Sequence, residues 1–361
     1  MKSEKAERDF DEKKIVVRCI KIAAIILGIA VLIRIILFPP YKQPAVTGNY
    51  AVAIEEYTWE DESRVETFTD TGENRALTVK FWYPEEEGRY PLVVFSHGAF
   101  GVIDSNYSTC MELASNGYVV ASIAHPYHAM FVKDVNGKVT TVDMDFFKSV
   151  YEGNGTRDPE EEEKNYIKYK EWMALRTADE NFVLDTILSK AEKGENGPFR
   201  VIDSEKIGLF GHSMGGASSV ALGRERDDID AVIDLEGTML GEYVGFENGI
   251  ELFNQEPYPV PVLDVNSVRA HEAVEAQELE GFEYVNFFVG RNALDYREVV
   301  FRDAGHLNFT DLPLASPVLA RMLGVGTVDA RTCIENVNEV VLTWFDYYLK
   351  DKGELNIKAE Y

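Results

Sequence analysis

Residues 208–220 read GLFGHSMGGASSV and join a short apolar run to a stretch of small residues. The run Ile207–Phe210 is typical of a buried strand, and the small residues after Gly215 favour a helix. Ser213 stands at the junction, between Gly211 and Gly215. This Gly-x-Ser-x-Gly pattern predicts a sharp turn that holds a serine oxygen above a sheet, as a candidate nucleophile. The helix that begins there would offer N–H groups and a favourable dipole to a developing oxyanion.

The rest of the chain alternates strand-like and helix-like segments. Strands are predicted at 50–57, 64–69, 77–83, 92–95, 119–123, 207–210, 231–235, 260–265 and 299–301, and helices at 108–115, 163–190, 215–223, 269–280 and 332–350. The first three strands follow one another closely, so we expect them to pair antiparallel. From Leu92 onward strands alternate with helices, which predicts an α/β fold with a mostly parallel central sheet flanked by helices.

A nucleophilic serine on such a sheet needs a general base later in the chain, since the order in this class is serine, acid, histidine. Four of the six histidines, His97, His125, His128 and His212, precede the serine. His271 lies in a polar helical segment and is interpreted as a surface residue. His306 follows the last strand, in a loop that begins with Gly305. His306 is therefore the predicted base.

Three carboxylates are candidates for the acid that orients the base. Asp234 closes the strand after the serine strand and is the favoured acid, with Ser213 and His306 as its partners in a triad. Asp264 lies inside the next apolar run, and Glu236 stands two residues after Asp234. Both stay open as alternatives.

The second half of an oxyanion-binding site should come from the loop after the strand LVVF. That loop reads Ser96-His97-Gly98-Ala99-Phe100-Gly101. The backbone N–H groups of Ala99 and Met214 are the predicted oxyanion donors. His97 is interpreted as a residue that ties the turn together. No HExxH or comparable cluster of ligands occurs, so the mechanism is expected to need no metal.

The N-terminus carries a separate apolar segment. Residues 15–38 read IVVRCIKIAAIILGIAVLIRIILF, and about 20 apolar residues suffice to span a bilayer when flanking Lys21 and Arg34 extend toward the interface. We expect an uncleaved signal-anchor, with a cleaved signal peptide as the alternative. Seven basic residues precede Ala23. The positive-inside rule then predicts a cytoplasmic tail at 1–14 and an extracytoplasmic chain after a linker at 39–48, on a single-pass protein of the cell membrane.

Charge and cysteine usage exclude some functions. The formal net charge is −26, which argues against nucleic acid as a partner because phosphate binding needs a basic surface. Three cysteines are too few for a disulfide framework. Cys110 and Cys333 are interpreted as unpaired core residues, with a bridge between them as the alternative.

Several segments together resemble a known family. LVVFSHGAFG, ELASNGYVVASIAHP, GLFGHSMGGASS, AVIDLEG, VPVLDVNS and AGHLNFTD occur in an order and spacing similar to the platelet-activating factor acetylhydrolases of the plasma and type II intracellular kind. The wider dienelactone-hydrolase-like and polyester-hydrolase-like proteins are also similar. The resemblance covers roughly residues 77–350. It implies an α/β-hydrolase fold and no cofactor, with Ser213, Asp234 and His306 as the triad. In the polyester-hydrolase relatives the acid lies nearer Asp264.

These observations predict a membrane-anchored serine carboxylic-ester hydrolase acting on a short-chain or phospholipid-type ester, with a catalytic domain at 49–361. The alternatives are a related hydrolase or transferase of thioester, lactone, polyester or peptide bonds, and a non-catalytic binding protein on the same fold. Residues 127–170 are rich in aromatic side chains and are a candidate cap over the site, or an ordinary surface subdomain. Arg176 and Asp179, three residues apart, are expected to form a structural pair on one helix face.

Overall fold

A computed structural model describes residues 2–152, 159–247 and 250–361 of the chain, with side chains described from residue 18 onward except at 159–161. In these residues the strands are β1 (Val52–Val65), β2 (Asn74–Pro84), β3 (Tyr90–Ser96), β4 (Val119–Ala124), β5 (Phe131–Lys133), β6 (Val139–Thr141), β7 (Ile202–His212), β8 (Ala231–Leu235), β9 (Tyr243–Glu247), β10 (Ile250–Phe253), β11 (Val262–Ser267) and β12 (Tyr296–Phe301).

Helices lie between most of these strands. They are α1 (Lys2–Leu37), α2 (Tyr107–Ser115), α3 (Met144–Glu152), α4 (Pro159–Glu192), α5 (Met214–Glu225), α6 (Val268–Leu279), α7 (Val285–Asn292), α8 (Leu312–Ala315), α9 (Pro317–Met322) and α10 (Ala330–Lys350). Short 3-10 turns occur at Gly197–Val201, Leu240–Glu242 and His306–Phe309.

The main sheet has eight strands in the order β1-β2-β4-β3-β7-β8-β11-β12. β1 and β2 pair antiparallel, as do β2 and β4, and the remaining neighbours run parallel. The predicted α/β-hydrolase architecture is therefore confirmed, with β7 and its serine near the middle of the sheet. Because all the parallel strands point the same way, their carboxyl ends and the loops that follow them meet at one edge.

One predicted pair of strands was wrong. Residues 50–57 and 64–69 were expected to be separate strands, but β1 is a single strand that pairs with β2 from Val52 opposite Pro84 to Val65 opposite Asn74. β1 lies at the edge of the sheet, and its second half reads TWEDES and is largely polar. An edge strand with a solvated face lacks the apolar run by which a buried strand is found.

Two hydrophobic cores lie on opposite faces of the sheet. The first packs α4, α5 and α7 on one face, through side chains that include Val183, Val220 and Val289. The second packs α2 and α10 on the other face, through side chains that include Leu113 and Trp344. Cys110 and Cys333 lie buried as separate thiols in this second core. Helices on both faces are the packing that buried parallel strands require.

The N-terminal helix α1 stands apart from both cores. Its segment Arg18–Leu37 has a mean hydropathy of 2.7 and no residue buried against the rest of the protein. That length and composition are sufficient to cross a membrane, and a signal sequence has the same properties. The helix ends beside α9, where Ser316 Oγ donates a hydrogen bond to the carbonyl of Leu37.

Candidate active site

Ser213 lies in the tight turn between β7 and α5. Its φ is 55° and its ψ is −123°, a conformation that non-glycine residues rarely adopt and that costs free energy. The two flanking glycines permit the turn because the chain approaches itself closely. A β-carbon on Gly211 would lie 2.1 Å from the main chain of Gly215, and one on Gly215 would lie 2.0 Å from the carbonyl oxygen of Ser96. The strained elbow that the sequence predicts is therefore present at Ser213.

His306 lies beside this elbow, at the start of the 3-10 turn that follows β12. Its ring centroid is 4.5 Å from that of His212, the residue before the serine. His212 Nε2 donates a hydrogen bond of 2.9 Å to the carbonyl of His306, and Asn308 Oδ1 accepts from the N–H groups of Gly305 and Gly326. Burial lowers the pKa of His212 well below its usual value, so that ring is a neutral donor. The loop is thereby fixed while the His306 side chain itself stays 45% exposed.

The carboxylate bound to His306 is Glu236. Its Oε2 lies 2.7 Å from His306 Nδ1, and its Oε1 accepts a 2.8 Å hydrogen bond from the N–H of Ser267. The Glu236 side chain is 8% exposed, and its backbone has a φ of 55°. A carboxylate on Nδ1 fixes the tautomer of the imidazole and leaves Nε2 directed elsewhere. Among the described residues, Ser213 Oγ makes no hydrogen bond to His306, and such bonds commonly tighten only when substrate binds.

Asp234, the favoured acid, does not contact His306 in this structure. It is fully buried under α5, with Oδ1 accepting a 2.8 Å hydrogen bond from the N–H of Gly237. A β-carbon on Gly216 would lie 1.9 Å from the same oxygen, so the helix covers the carboxyl group. The physical reason is position along the strand. β8 ends at Leu235, and only the next residue, Glu236, passes the sheet edge where His306 lies.

Asp264, the second candidate, is buried as well. It lies opposite Asp234 in the pairing of β8 with β11, and its Oδ2 accepts hydrogen bonds from Asn286 (3.2 Å) and Tyr296 (2.9 Å). Burial, followed by the charge of Glu298, raises the pKa of Asp264 to about 7. Burial and the neighbouring Asp264 raise the pKa of Asp234 well above its usual value. The pair supports the loop that carries Glu236 and does not reach the base.

The loop after β3 lies on the other side of Ser213. A β-carbon on Gly98 would be 3.1 Å from the β-carbon of Ser213, so the two backbones are close neighbours. His97 Nδ1 donates a 2.7 Å hydrogen bond to the carbonyl of Gly98, which confirms that His97 ties the turn together. Ala99 follows in this loop, and Met214 is the first residue of α5, whose N–H has no partner within the helix. Both predicted donors thus belong to segments that flank the serine.

The predicted pair of Arg176 with Asp179 was wrong in its partners. Asp179 accepts two hydrogen bonds of 2.7 Å from Arg75 and one of 2.8 Å from Arg64. Arg176 instead donates 2.7 Å to the carbonyl of His97, in the loop beside the serine. Helical spacing placed the two side chains near each other, but it carried no information on the groups that pack against α4 from the sheet.

A cavity of about 390 Å³ opens beside His306 and Glu236. Its walls come from α6, the start of α7, β12 and the loop after β8, and include Thr238, Tyr284, Phe287 and Glu298. His271, expected at the surface, lines this cavity and binds Glu298 through Nδ1 at 2.7 Å. The described residues contain no group of three or more His, Cys, Asp or Glu side chains placed to hold a metal.

The segment at 127–170 lies against the loop after β3. Outside residues 153–158, which the structure does not describe, it forms the β5–β6 hairpin, α3 and the start of α4. The Phe100 N–H donates to the carbonyl of His128, and the Phe100 ring packs against Phe147 at 4.9 Å and Tyr151 at 5.9 Å between centroids. The aromatic side chains of this segment therefore surround the residue that follows Ala99.

The chain is similar in sequence to known proteins. The chain is 23% identical over 274 residues to a platelet-activating factor acetylhydrolase of Cavia porcellus, aligning 72% of this chain and 58% of the relative. It is 23% identical over 301 residues to that of Gallus gallus (74% and 64%) and 26% over 299 residues to that of Bos taurus (72% and 57%). The alignments thus span less than two thirds of the length of these relatives.

A similar solved structure is the ferulic acid esterase from Streptomyces cinnamoneus. It superposes with a TM-score of 0.65 at 22% identity and covers 87% of this chain and 94% of that one, which shows the fold. The family described as platelet-activating factor acetylhydrolase, isoform II, matches residues 69–181 and 199–358. The matched residues make up most of the chain, and the chain therefore belongs to the platelet-activating factor acetylhydrolase, isoform II, family.

Proposed function

We propose that the protein is a serine carboxylic-ester hydrolase in which Ser213, His306 and Glu236 form the triad. The observation that carries the proposal is the 2.7 Å contact between His306 Nδ1 and Glu236 Oε2 beside a strained serine elbow. Glu236 is the proposed acid in place of Asp234 because Glu236 contacts His306 and Asp234 does not, and the N–H of Ser267 holds the second oxygen of Glu236. Membership of the acetylhydrolase family supports ester hydrolysis as the reaction.

The reaction proceeds in two acyl-transfer steps. Ser213 Oγ attacks the ester carbonyl while His306 Nε2 takes its proton, and the resulting imidazolium is stabilised by Glu236. The N–H groups of Ala99 and Met214 stabilise the oxyanion, since both flank the serine at the end of β3 and the start of α5. The protonated alcohol leaves with the proton from His306. Water then repeats the sequence on the acyl-enzyme and releases the acid.

A short-chain or phospholipid-type ester is the proposed substrate class. The cavity of about 390 Å³ beside His306 is lined by His306 and Glu236 but not by Ser213, Ala99 or Met214, so its volume does not set the size of the acyl group. Relatives named as acetylhydrolases support the same class.

The apolar part of α1 is proposed to anchor the enzyme in the cell membrane, with residues 1–14 in the cytoplasm and the catalytic domain at 49–361 outside. The support is the mean hydropathy of 2.7 over Arg18–Leu37, together with the excess of basic residues on its N-terminal side. We expect the full chain to stay with membranes after an alkaline carbonate wash. Protease added outside intact cells should digest the catalytic domain, and protection of that domain would contradict the orientation.

Residues 127–170 are proposed to cap the site. The aromatic contacts of Phe100 with Phe147 and Tyr151 support this role, because they join the segment to the loop that carries Ala99. A cap in this position would exclude water from the oxyanion-binding groups and limit the size of the substrate.

The test uses the full chain in detergent with p-nitrophenyl esters from acetate to dodecanoate, beside thioester and lactone donors. Ser213→Ala should lose hydrolysis by about 10⁴-fold or more, and fluorophosphonate labelling of the wild type should be absent in the variant. The control is Ser219→Ala, about one and a half turns into α5, which should keep wild-type rates. Hydrolysis that survives in Ser213→Ala would overturn the proposal. A preference for a thioester or lactone would show that the proposed substrate class is wrong.

A further inference from the structure

Arg176 is a fully buried arginine of α4 that lies directly behind the loop after β3. Its Nη1 donates 2.7 Å to the carbonyl of His97, and its Nη2 reaches the carbonyl of Gly98 at 3.5 Å. Nη1 also contacts Ser96 Oγ at 3.3 Å, and Nε donates 3.2 Å to His128 Nδ1. A buried guanidinium group therefore holds consecutive main-chain carbonyls of the loop that carries Ala99.

In the described structure, no carboxylate accepts a hydrogen bond from the guanidinium group of Arg176. Asp179 is engaged by Arg75, Arg64 and His125. Glu180 binds Ser218 Oγ, and burial raises the pKa of Glu180 to about 7. Buried arginines normally pair with carboxylates, because an uncompensated charge is costly to bury. The charges of Glu180 and Asp179 lie near enough to favour the charged form of Arg176, but its hydrogen bonds go to two peptide oxygens, to Ser96 Oγ and to His128 Nδ1.

Peptide geometry links those oxygens to the oxyanion-binding groups. The described residues contain no cis peptide bond, so the carbonyl of Gly98 and the N–H of Ala99 lie on opposite sides of one planar peptide. The Gly98 oxygen accepts from His97 Nδ1 at 2.7 Å and from the N–H of Gly101 at 3.0 Å, and Arg176 Nη2 reaches it from α4 at 3.5 Å. The N–H of Ala99 must then point the other way. A β-carbon on Gly98 would lie 3.1 Å from the β-carbon of Ser213, so the peptide that carries the N–H of Ala99 begins beside the serine.

We propose that Arg176 is a positioning residue that aligns the Ala99 N–H for the oxyanion and, through its charge on the carbonyl side, makes that N–H a stronger donor. The inference rests on the proposed hydrolase function. Polarisation follows because a cation at the oxygen end of a peptide increases the positive character of its N–H end, and hydrogen bonds in series strengthen one another at low dielectric. A stronger N–H donor stabilises the transition state more than the ground-state ester, because negative charge develops only on the oxyanion.

The experiment compares Arg176→Lys and Arg176→Gln with Arg224→Lys in the full chain. Arg224 is a matched control because it is a largely buried arginine with a bidentate bond to Glu242 (2.6 and 2.7 Å), on α5 and away from the loop. We measure kcat and KM on p-nitrophenyl acetate, inhibition by an alkyl boronic acid that forms a tetrahedral adduct on Ser213, and thermal unfolding.

Loss of one oxyanion donor costs about 10²–10³-fold in kcat in other enzymes. We therefore expect Arg176→Gln to lower kcat by about 10²-fold with KM within about threefold, Arg176→Lys to lie between it and the wild type, and boronic-acid inhibition to weaken in proportion to kcat. Arg224→Lys should keep both constants. A merely structural arginine would lower the unfolding temperature without the matched loss in boronic-acid binding.

Three outcomes would overturn the inference while leaving the hydrolase intact, provided that Ser213→Ala is inactive. The first is a kcat of Arg176→Gln within threefold of wild type. The second is a loss of kcat without weaker boronic-acid inhibition. The third is failure of both Arg176 variants to fold while Arg224→Lys folds, because the arginine would then serve the fold. Inactivity of the wild-type protein itself would instead count against the proposed function.

Discussion

The loops after β3 and β8 flank the same serine but serve the site in different ways. The loop after β3 presents main-chain groups around Gly98 and Ala99, and its side chain His97 turns inward to bind the loop itself. The loop after β8 presents the side chain of Glu236 to His306. A main-chain role depends on where the loop lies, whereas a side-chain role depends on which residue is the first to pass the end of the strand.

This difference explains which parts of the candidate site could be located from the sequence. Any small residues after the buried strand LVVF would place N–H groups near the elbow, so the loop at 96–101 was found without knowing the last residue of β3. To identify the proposed acid from the sequence, the last residue of β8 had to be predicted to within one residue. Strand ends are the least certain part of a prediction from sequence, and an uncertainty of two residues separates Asp234 from Glu236.

The largest expected loss of kcat comes from replacing one of the two carboxyl groups at the end of β8 with an amide, each in a separate variant. Glu236→Gln should lower kcat by about 10³–10⁴-fold, because an amide cannot stabilise the imidazolium form of His306 and favours the wrong tautomer. Asp234→Asn should lower kcat by less than about tenfold, since Asp234 contacts Gly237 and not the base. The kcat of each variant is measured on p-nitrophenyl acetate, and circular dichroism checks that each variant is folded. The reverse ranking would return the role of acid to Asp234.

A smaller loss is expected where the elbow meets the loop after β3. In Gly215→Ala the added β-carbon would lie 2.0 Å from the carbonyl oxygen of Ser96, so the elbow and the loop must move apart. We expect a loss of stability of about 2–4 kcal/mol and a fall in kcat of about tenfold or more, because misplacement by a fraction of an ångström weakens oxyanion binding. Denaturant unfolding and steady-state kinetics measure both. Ser219→Ala on the same helix is the control, and unchanged kcat in Gly215→Ala would show that the loop tolerates displacement.

The buried carboxyl pair beneath the β8 loop should make stability depend on pH. The pKa of Asp264 is about 7 in the folded protein and near 3.8 in the unfolded chain, so between these values the folded state holds the extra proton. The free energy of unfolding must then fall as pH rises from about 4 to about 7, by up to about 1.4 kcal/mol per pH unit for one such group. Asp264→Asn should flatten that slope, measured by unfolding at pH 5, 6, 7 and 8.

Two controls apply to this measurement of stability against pH. Glu180, whose raised pKa acts in the same direction, is present in both proteins, so the difference between their slopes reports on Asp264 and its partner Asp234. Asp295→Asn, an exposed site on the chain just before β12, should leave the slope unchanged. Equal slopes in wild type and Asp264→Asn would mean that the pair is already ionised at low pH.

The smallest effect is expected in the aromatic cluster over the loop after β3. Tyr151 is 58% exposed and stacks on Phe100 with centroids 5.9 Å apart. Tyr151→Ala should raise KM for butyrate or longer esters by about two- to fivefold and leave the acetate reaction unchanged, because only a longer chain would reach the ring, and one aromatic contact contributes about 0.5–1.5 kcal/mol. Tyr347→Ala, on the distant α10, is the control. An equal change for acetate would count against a cap that contacts the acyl chain.

The elements that depend on local pattern were predictable. Buried strands such as Ile207–Phe210 and Ala231–Leu235 were recognisable because both faces are covered and the runs are apolar. The elbow at Ser213 followed from two glycines between a strand and a helix, and the choice of His306 as the base rested on chain order and stays a prediction. Edge strand β1 was missed in part because its second half is largely polar, and the short strands β5, β6, β9 and β10 were missed because three to five residues carry too little periodicity.

What the amino-acid order determined was the class of fold and the elbow at Ser213, since each rests on residues close together in sequence, and chain order made His306 the candidate base. The acid and the partners of Arg176 depend on contacts between segments far apart in the chain. Glu236 meets a residue 70 positions later, and Arg176 meets a carbonyl 79 positions earlier. Helical or strand spacing says which face a side chain occupies. Which partner a polar side chain meets on that face depends on how the sheet and helices pack. A buried polar group can bond only to the groups that packing places next to it.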